Sequence, residues 1–391
     1  MTLQKQAITV IGAGIGGLAV AVCLARQGAR VTVLEQAAEI TEVGAGLQIS
    51  PNGLRVLASL GLADMLSRAS VRAMGVRLRD YRQGAEVFHL PLGDRVGEAY
   101  HFVHRADLLD VLMQAAVDAG VTLRTGCKVV KVHPGTPARV NLAEGETLQA
   151  DLVIGADGLH SVLRRDLNGV SAPQFTGQVA WRALAPNLIG HPPEVRVHMG
   201  PGKHMVSYPI RDGHTLNIVA VQERETWAEE GWTHSDSGDN LRAAFAYFHP
   251  DILQMLAGVD RVGLWGLFRH PVAHKWVGTG CALLGDAAHP TLPFMAQGAN
   301  MALEDAWVLA DTLAEVDDIQ TGLAQYQARR QDRVEKVVAA AAGNAWKYHL
   351  RQPLVRFAAH AALRVASKIA PQRMQRQFDW IYNYDVTKRT G

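Results

Sequence analysis

Cysteine is scarce in this 391-residue sequence, and the three residues that occur lie far apart. Cys23, Cys127 and Cys281 each stand within an apolar stretch, without the close spacing that a zinc site or a disulfide framework requires. Scattered thiols of this kind are typical of proteins in a reducing compartment. The pattern excludes a small disulfide-stapled secreted domain, predicts no metal site and favours a cytoplasmic location.

An excess of charge of either sign is also missing. The 39 Lys and Arg residues and the 37 Asp and Glu residues leave a net charge of +2, so no basic face that binds nucleic acid is expected. Because 48% of the residues are hydrophobic and 19% are charged, the chain can bury a large core, which excludes extended disorder. The length indicates two domains or one large elaborated domain.

The longest uncharged run is interrupted by glycine. Residues 7–25 carry no charge, but Gly12, Gly14, Gly16 and Gly17 divide them into a β-branched piece, a turn and an alanine-rich helix. A membrane span or a signal sequence would need an unbroken apolar segment here. A buried strand followed by a helix therefore explains the run better.

The opening residues read as a strand, a glycine turn, a helix and a second strand that ends at Glu35. Gly12, Gly14 and Gly17 fit G-x-G-x-x-G, a spacing that permits a tight turn and the close approach of a pyrophosphate. The helix start would face the phosphates with its positive dipole end. Glu35 can accept hydrogen bonds from ribose hydroxyls. The unit predicts a dinucleotide site without distinguishing FAD from NAD.

Two later segments again place a Gly and an Asp after an apolar strand. Residues 152–154 lead into G-A-D-G, which contains Asp157, and residues 282–284 lead into G-D-A-A-H-P, which contains Asp286. A carboxylate at the end of such a strand can accept hydrogen bonds from ligand hydroxyls. Both segments are therefore candidate parts of the same nucleotide site.

A stiff loop and a helix start follow the second of these segments. Pro290 and Pro293 restrict the loop, and Gly298, Ala299 and Asn300 open the helix. The free N–H groups at that helix start would stabilise negative charge on a bound ring.

The region between Phe175 and Trp276 is rich in strands and polar turns and contains no further nucleotide turn. We predict an α/β fold in which a Rossmann-like domain carries an inserted antiparallel sheet and a C-terminal helical segment. The predicted nucleotide domain comprises residues 1–72, 98–175 and 277–345. The predicted substrate domain comprises residues 73–97 and 176–276, and the tail comprises residues 346–391.

The three motifs together resemble those of the FAD-dependent aromatic hydroxylases, the single-component flavoprotein monooxygenases of the hydroxybenzoate hydroxylase type. Residues 43–53, 204–209 and 292–299 are similar to the branch that contains 3-hydroxybenzoate 6-hydroxylase, salicylate hydroxylase and 6-hydroxynicotinate 3-monooxygenase. The resemblance implies a bound FAD, with Asp286 on its ribityl chain and Asp157 serving both FAD and the nicotinamide cofactor. The residues that it implies for FAD are Gly12, Gly14, Gly17, Glu35, Gln36, Gln48, Arg105, Val129, Asp157, Asp286, Gly298, Ala299 and Asn300.

The resemblance further implies a hydroxylation driven by NADH or NADPH, with NADH favoured, in which O2 adds to reduced FAD as a C4a-hydroperoxide. The distal oxygen is electrophilic, so the attacked ring must be electron-rich, and a phenol becomes so by losing its proton. His204 and Tyr208, which the resemblance places toward the substrate, are the candidate catalytic residues. A histidine, whose ordinary pKa is near ~6.5, can accept such a proton around neutrality.

The implied substrate pocket contains Gln48, Arg182, Pro293 and Phe294. Gln48 and Phe294 replace histidines of the 6-hydroxynicotinate relatives, and Pro293 replaces a polar residue of the 3-hydroxybenzoate relatives. Arg182 or Arg211 could bind a substrate carboxylate. We predict a phenolic aromatic acid of the hydroxybenzoate or salicylate type as the substrate, with a hydroxypyridine or hydroxynicotinate as the alternative.

The C-terminal region is basic and amphipathic. Residues 336–378 contain eight Lys or Arg residues and no Asp or Glu, with apolar residues at helical spacing. Such a helix packs on its own FAD domain, on a second copy in a homodimer, or more weakly on a membrane surface, and the first two are favoured. The aromatic residues 378–385 resemble a C-terminal segment of the 3-hydroxybenzoate relatives, which favours docking.

Two other functions are compatible with parts of the sequence. An NAD-dependent dehydrogenase would explain the first glycine motif and would leave Asp157 and Asp286 without a role. A non-catalytic flavin-binding redox module is suggested by the basic tail.

Overall fold

Within the described residues, the strands form two large sheets and two small ones. The computed structural model describes residues 3–40, 46–92, 99–225 and 234–388, so residues 43–45 and 93–97 of the segments discussed above lie outside the described residues. In chain order the described strands are β1 (Ala7–Ile11), β2 (Arg30–Leu34), β3 (Gly46–Ile49), β4 (Ser70–Arg72), β5 (Gly75–Asp80), β6 (Glu86–Pro91), β7 (His101–His104), β8 (Thr122–Arg124), β9 (Val129–His133), β10 (Ala138–Leu142), β11 (Thr147–Ala150), β12 (Leu152–Gly155), β13 (Gln174–Pro186), β14 (Glu194–Gly200), β15 (Lys203–Ile210), β16 (Thr215–Glu223), β17 (Ser235–Ser237), β18 (Arg261–Arg269), β19 (Val277–Gly278) and β20 (Cys281–Leu283).

Helices cover the first sheet and form the C-terminal region. The described α-helices are α1 (Ile15–Arg26), α2 (Pro51–Ser59), α3 (Ala63–Arg68), α4 (Arg105–Asp118), α5 (Val162–Asn168), α6 (Gly238–Ala244), α7 (Pro250–Leu256), α8 (Gly298–Glu315), α9 (Ile319–Asn344), α10 (Pro353–Ile369), α11 (Pro371–Arg376) and α12 (Asp379–Tyr382). Short 3-10 turns occur at Gly158–His160, Gly285–Ala287, Pro293–Met295 and Ala345–Tyr348.

The first large sheet has the order β19-β20-β12-β1-β2-β8. Its strands β20, β12, β1, β2 and β8 pair in parallel, so their carboxyl ends meet at one edge. The uncharged run of the sequence forms β1 and α1, and α1 is buried because it packs against α4 and α8. The three Gly-rich or Gly-Asp turns follow β1, β12 and β20 at that same edge, as a nucleotide site requires.

The second large sheet has the order β17-β18-β13-β16-β15-β14-β5-β6. Its neighbours are antiparallel except for the parallel pair of β14 and β5. Strands β5 and β6 come from the first of the two stretches assigned to the substrate domain, and the other strands follow residue 173. The predicted fold class, a Rossmann-like α/β unit with an inserted antiparallel sheet and C-terminal helices, is confirmed.

The C-terminal segment packs against helices of the predicted nucleotide domain. Arg333 of α9 donates a hydrogen bond to the Trp380 carbonyl at 2.9 Å, and the Lys336 ammonium lies 4.4 Å from the centre of the Trp380 ring. Arg55 of α2 donates to the Tyr382 carbonyl at 2.5 Å. These contacts dock the aromatic C-terminal segment against α2 and α9.

Candidate active site

A cavity of about 460 Å³ lies between the two large sheets. One side is formed by the glycine turn before α1, the Gly-Asp turn after β20 and the start of α8. The other side is formed by side chains of the second sheet, including Val206 and Val219. Pockets between such layers are common sites for small ligands.

The glycine turn between β1 and α1 is closely packed on one side and open to the cavity on the other. A Cβ on Gly12, which has a φ of +100°, would lie 2.6 Å from the Ala156 carbonyl oxygen. A Cβ on Gly17 would lie 2.0 Å from the Gly12 oxygen, so neither position has room for a side chain. Gly14 lines the cavity, and no atom lies within 4 Å of its Cβ position. Gly12 and Gly17 therefore shape the turn, and Gly14 leaves its surface open to a ligand.

Glu35 holds the same turn from the end of β2. Its Oε2 accepts a hydrogen bond from the Ala13 N–H at 2.9 Å, and its Oε1 accepts one from the Ala37 N–H at 2.8 Å. Gln36 is exposed, and Val129 is buried at the start of β9. None of the predicted residues Glu35, Gln36 and Val129 is among the described residues that line the cavity.

Asp157 stands between two residues that line the cavity, Ala156 and Gly158. Its Oδ2 accepts a hydrogen bond from the Val162 N–H at 2.8 Å, whereas its buried Oδ1 has no hydrogen-bond partner in the described part of the chain. Burial raises the pKa of Asp157, and hydrogen bonds from Ser161 and Val162 oppose that rise. A buried acceptor of this kind is suited to a ligand donor.

Asp286 lines the cavity, and its side chain is exposed toward the open cavity. Although the side chain faces the open cavity, the protein that surrounds it on the other sides desolvates the carboxyl group and raises its pKa, while His289 and Arg105 oppose that rise. Arg105 also lines the cavity, and it begins α4 instead of lying in the predicted loop. Gly298 and Ala299 line the cavity at the start of α8, and Gln297 before them makes no side-chain cap. The first N–H groups of α8 are thus available to an anionic group in the cavity.

Asn300 has a different position from its two neighbours. Its side chain is fully buried, where Oδ1 accepts from the Ser50 N–H at 3.0 Å and Nδ2 donates to the Gln48 and Ala296 carbonyls at 3.0 and 2.8 Å. Asn300 is not among the described residues that line the cavity. Its side chain instead ties β3 to the start of α8.

Both candidate catalytic residues line the cavity. Successive side chains of a strand point to opposite faces, so His204, Val206 and Tyr208 share one face of β15, and Met205 packs into the core on the other. Burial, and then the neighbouring His349, lower the pKa of His204 well below its usual value. A histidine kept neutral in this way can accept a hydrogen bond at one of its ring nitrogens.

The second candidate, Tyr208, is held in its neutral form. Burial raises the pKa of the Tyr208 phenol, although Arg182 and hydrogen bonds with Gln48 and Asn217 oppose that rise. A phenol with a raised pKa acts as a hydrogen-bond donor or acceptor and not as an anion at neutral pH.

The four predicted substrate residues Gln48, Arg182, Pro293 and Phe294 all line the cavity. The Arg182 guanidinium lies 4.9 Å from the centre of the Trp265 ring, and the Phe294 ring lies 5.8 Å from His204. Arg211 does not line the cavity and pairs with Asp107 at 3.4 Å. Of the two arginines considered for a carboxylate, Arg182 is the one that the structure brings to the site.

Sequence reasoning missed several aromatic residues of the cavity. Tyr348, Phe378 and Tyr382 from the C-terminal segment line it, as does Tyr100, whose hydroxyl donates to Gln48 Oε1 at 2.7 Å. The aromatic composition of residues 378–385 was a signal for docking. It contained no indication that the segment closes the cavity.

A buried ionic cluster beneath the start of α8 was also missed. Arg330 of α9 donates to Asp305 at 2.7 Å and pairs with Glu304 at 2.7 Å, and Arg333 pairs with Glu304 at 2.7 Å. Burial raises the pKa of Asp305, but His289 and Arg330 more than offset this and lower it to about 2. Acidic residues directly after the helix start were the available signal.

The fold and the cavity define a dinucleotide-binding protein with a second sheet that covers the cavity. The family described as the FAD binding domain matches residues 5–341. The chain is 37% identical over 352 residues to a 3-amino-4-hydroxybenzoate 2-monooxygenase of Streptomyces cremeus, covering 88% of each chain. It is 34% identical over 355 residues to a 6-hydroxynicotinate 3-monooxygenase of Bordetella bronchiseptica, covering 88% of this chain and 92% of that protein.

A solved structure is also similar along nearly the whole chain. The complex of Klebsiella pneumoniae HpxO with FAD and uric acid has a TM-score of 0.83 and 28% identity, and the match covers 95% of both chains. The chain belongs to the FAD-dependent aromatic-ring monooxygenases. This assignment decides against the NAD-dependent dehydrogenase.

The cavity fits FAD on its own geometry. Two helix starts, at Gly14 and at Gly298, open onto the cavity. Neither helix has an acidic residue in its first turn, so no negative side chain there would repel an anionic group of the ligand. In the same cavity, the carboxylate oxygens of Asp286 could accept hydrogen bonds from hydroxyl groups of a ligand. The open surface at Gly14 would accept the pyrophosphate, and Asp286 would hold the ribityl hydroxyls.

Two negative observations apply to the described ranges alone. Within them, no helix combines the length and the apolar character needed to cross a bilayer. The same residues contain no group of three or more His, Cys, Asp or Glu side chains that could hold a metal ion.

Proposed function

We propose that the protein hydroxylates an aromatic ring that carries both an ionisable hydroxyl and a carboxylate, as in a hydroxybenzoate or salicylate, with NADH and O2 as co-substrates. The observation that supports this most is that a neutral histidine, His204, and a cation, Arg182, line one cavity with Asp286. The relative that acts on 3-amino-4-hydroxybenzoate supports the same class of substrate. The three free cysteines support a cytoplasmic location.

The chain's own residues would bind and activate the substrate. Arg182 would pair with the carboxylate, and His204 would accept the proton of the ring hydroxyl, which makes the ring electron-rich. Tyr208 would hydrogen-bond the same oxygen while it remains neutral. Apolar side chains of the second sheet, such as Val206 and Val219, would exclude water from the ring. FAD, when bound, would supply the electron transfer from the nicotinamide nucleotide and the activation of O2.

A hydroxynicotinate is the second candidate. The relative that acts on 6-hydroxynicotinate supports it, and that substrate also carries a ring hydroxyl and a carboxylate. The same pairing with His204 and Arg182 would serve either ring, so the two candidates differ in the ring atom and not in the binding groups.

A substrate panel tests the proposal. The holoprotein is mixed with NADH or NADPH and with phenols, hydroxybenzoates, salicylate or hydroxypyridine carboxylates, and nucleotide loss, peroxide release and product mass are measured. We expect faster NADH loss and a product heavier by one oxygen with at least one hydroxylated aromatic acid. Nucleotide loss that no aromatic stimulates would contradict the proposal and favour a non-catalytic flavin module.

We further propose that the exposed face of α10 contacts a second copy of this chain in a homodimer. Leu354, Phe357 and Ile369 of that helix are exposed to 84%, 70% and 78%, so its apolar face does not pack on its own chain. Two of the neighbouring cations are engaged within the chain: Arg356 lies over the Tyr81 ring, and Arg364 donates to the Glu86 carbonyl at 2.9 Å. This favours an apolar partner over an anionic membrane.

Sedimentation of the holoprotein tests the dimer. We expect a dimer for the parent protein and a monomer for Phe357→Asp, whereas Leu188→Asp, at an exposed apolar residue of another surface, should remain dimeric. A monomeric parent that binds phosphatidylserine vesicles, with Phe357→Asp abolishing binding, would replace the dimer with the membrane surface.

A further inference from the structure

A chain of polar contacts runs from the cavity to the surface through residues that no motif indicated. His204 Nδ1 lies 2.6 Å from His349 Nε2, and His349 Nδ1 lies 3.1 Å from Glu223 Oε1. The other carboxylate oxygen of Glu223 accepts from the Arg351 guanidinium at 2.5 and 2.8 Å. The two histidines are 1% and 3% exposed, whereas the Glu223 side chain is 29% exposed.

The backbone fixes the members of this chain in place. His204 belongs to β15, and Glu223 is the last residue of the adjacent strand β16. The Gly202 N–H donates to the His349 carbonyl at 3.2 Å, and the Glu223 N–H donates to the Gly202 carbonyl at 2.9 Å. The segment after α9 thus brings His349 between a buried strand and the protein surface.

The carboxylate determines which ring nitrogens carry protons. Glu223 can only accept, so the neutral His349 holds its proton on Nδ1 and leaves Nε2 as an acceptor. His349 Nε2 then requires a proton on His204 Nδ1. Neutral His204 therefore has an unprotonated Nε2, the ring nitrogen that His349 does not contact, and the residue lines the cavity.

We propose that His349 and Glu223 are positioning residues that set the His204 tautomer and form a proton path between the substrate hydroxyl and the surface. The inference rests on the proposed function only for the identity of the proton donor.

The transfer balances without any further reactant. The substrate hydroxyl gives its proton to His204 Nε2, the Nδ1 proton of His204 moves to His349 Nε2, and the Nδ1 proton of His349 moves to Glu223. Solvent then takes the proton from the partly exposed carboxyl group. The reverse transfer, when the product oxygen takes up a proton, restores the original tautomers.

The surrounding charges are consistent with this path. Burial lowers the pKa of His349, and Glu223 opposes that effect, so His349 stays neutral beside the carboxylate and can pass a proton to it. The other titratable or charged groups next to the path are Tyr348, whose ring lies 5.2 Å from His204, Arg351 on Glu223, and Lys203, whose pKa burial and Arg351 lower.

Imidazole NMR of the FAD-loaded protein labelled with ¹⁵N-histidine tests the tautomers without a substrate. We expect both His204 and His349 to carry their protons on Nδ1, with signals assigned from His204→Phe and His349→Phe. The surface change Glu223→Gln should convert part of the His204 population to the other tautomer. An Nε2 proton on His204 in the parent protein would overturn the proposal.

Ionisation of a bound phenol is the second measurement. In Glu223→Gln and His349→Gln we expect the pKa of a bound hydroxybenzoate, read from its ultraviolet spectrum, to rise by about one unit or more. Coupled hydroxylation near pH 7 should fall by about 10²-fold in His349→Gln while FAD stays bound. The matched control is His191→Phe, which removes a buried histidine that bonds Ser207 outside the cavity.

The possible results separate the relay from the proposed function. Loss of stability in His349→Gln with an unmoved phenol pKa and an unchanged His204 tautomer would mean a purely structural role and would overturn the relay. The expected tautomers in a protein that hydroxylates no member of the panel would support the positioning role and contradict the proposed substrate class.

Discussion

The backbone N–H of Gly285 donates a hydrogen bond to the Asp305 carboxylate on α8 at 3.1 Å. The same carboxylate oxygen accepts from His289 Nε2 at 2.5 Å. Gly285 precedes Asp286, the acid that faces the cavity, so α8 holds the Gly-Asp turn through Asp305. Arg330 completes the charge balance from α9.

Replacement of Asp305 by Asn should destabilise the protein by about 3–5 kcal/mol, because it leaves the buried Arg330 with one carboxylate fewer. Urea unfolding followed by circular dichroism measures this loss, and the bound flavin content should fall with it. Asp311→Asn is the control on the same helix, since its partner Arg329 is 41% exposed and the pair is worth about 1 kcal/mol or less. Equal losses in the two variants would contradict the role of the buried cluster.

The lowered pKa of Asp305 predicts that the protein loses stability in acid. Its pKa is about 2 in the folded protein and about 3.9 in an unfolded chain, so its contribution is present above pH ~4 and disappears as the pH falls through ~2. The free energy of unfolding, measured between those pH values, should fall by roughly 2 kcal/mol more in the parent than in Asp305→Asn. Parallel curves for the two proteins would show that Asp305 does not titrate in this range.

Two glycines at the start of α1, Gly14 and Gly17, should have different effects when they are replaced by Ala. Gly17→Ala should destabilise the FAD-free protein by about 1–3 kcal/mol, because the new Cβ meets the Gly12 oxygen. Gly14→Ala should leave that stability within about 0.5 kcal/mol but weaken FAD binding roughly tenfold, since its Cβ enters the cavity. Scanning calorimetry of the FAD-free variants measures the stability, and titration calorimetry with FAD measures the affinity. An unchanged FAD affinity in Gly14→Ala would exclude the turn as the phosphate site.

Tyr208→Phe should weaken binding of a hydroxybenzoate by about threefold to tenfold, the value of one neutral hydrogen bond. Because burial keeps Tyr208 protonated, the pH dependence of hydroxylation between about pH 6 and pH 9 should not change. Steady-state kinetics across that range provide the measurement. A shifted profile would show that Tyr208 itself titrates in this range.

Arg182→Gln should discriminate between ligands with and without a carboxylate. Loss of a charged hydrogen bond costs about 1.5–3 kcal/mol, so hydroxybenzoate affinity should fall by about 10-fold to 100-fold while phenol affinity stays the same. Flavin fluorescence titration with both ligands measures this. Arg211→Gln, which changes an arginine outside the cavity, should leave both affinities unaltered.

Much of the nucleotide side could be predicted because its signals are local. Gly12 and Asp286 lie in short turns that directly follow strands, and Gly17 lies in the first turn of α1. The spacing of residues in such a segment defines its geometry. His204 and Tyr208 shared a strand face because of the two-residue period. The cavity itself depends on how the second sheet lies over the first.

Other residues could not be predicted because their partners are distant in the chain. His349 is 145 residues from His204 and 126 from Glu223, and Arg330 is 25 residues from Asp305. No spacing rule relates such positions, since each contact depends on how several elements pack. The same reason explains why Arg182 and Arg211 could not be distinguished.

The amino-acid order alone settles where strands, glycine turns and helix starts occur, because those features follow from backbone sterics and from hydrogen bonds between near neighbours. Which side chains meet in the cavity, which histidine nitrogen carries a proton and which charges are buried follow from packing between remote segments. Those properties exist only once the two sheets and the C-terminal segment are assembled, since burial and long-range contacts set the pKa values and the pairing.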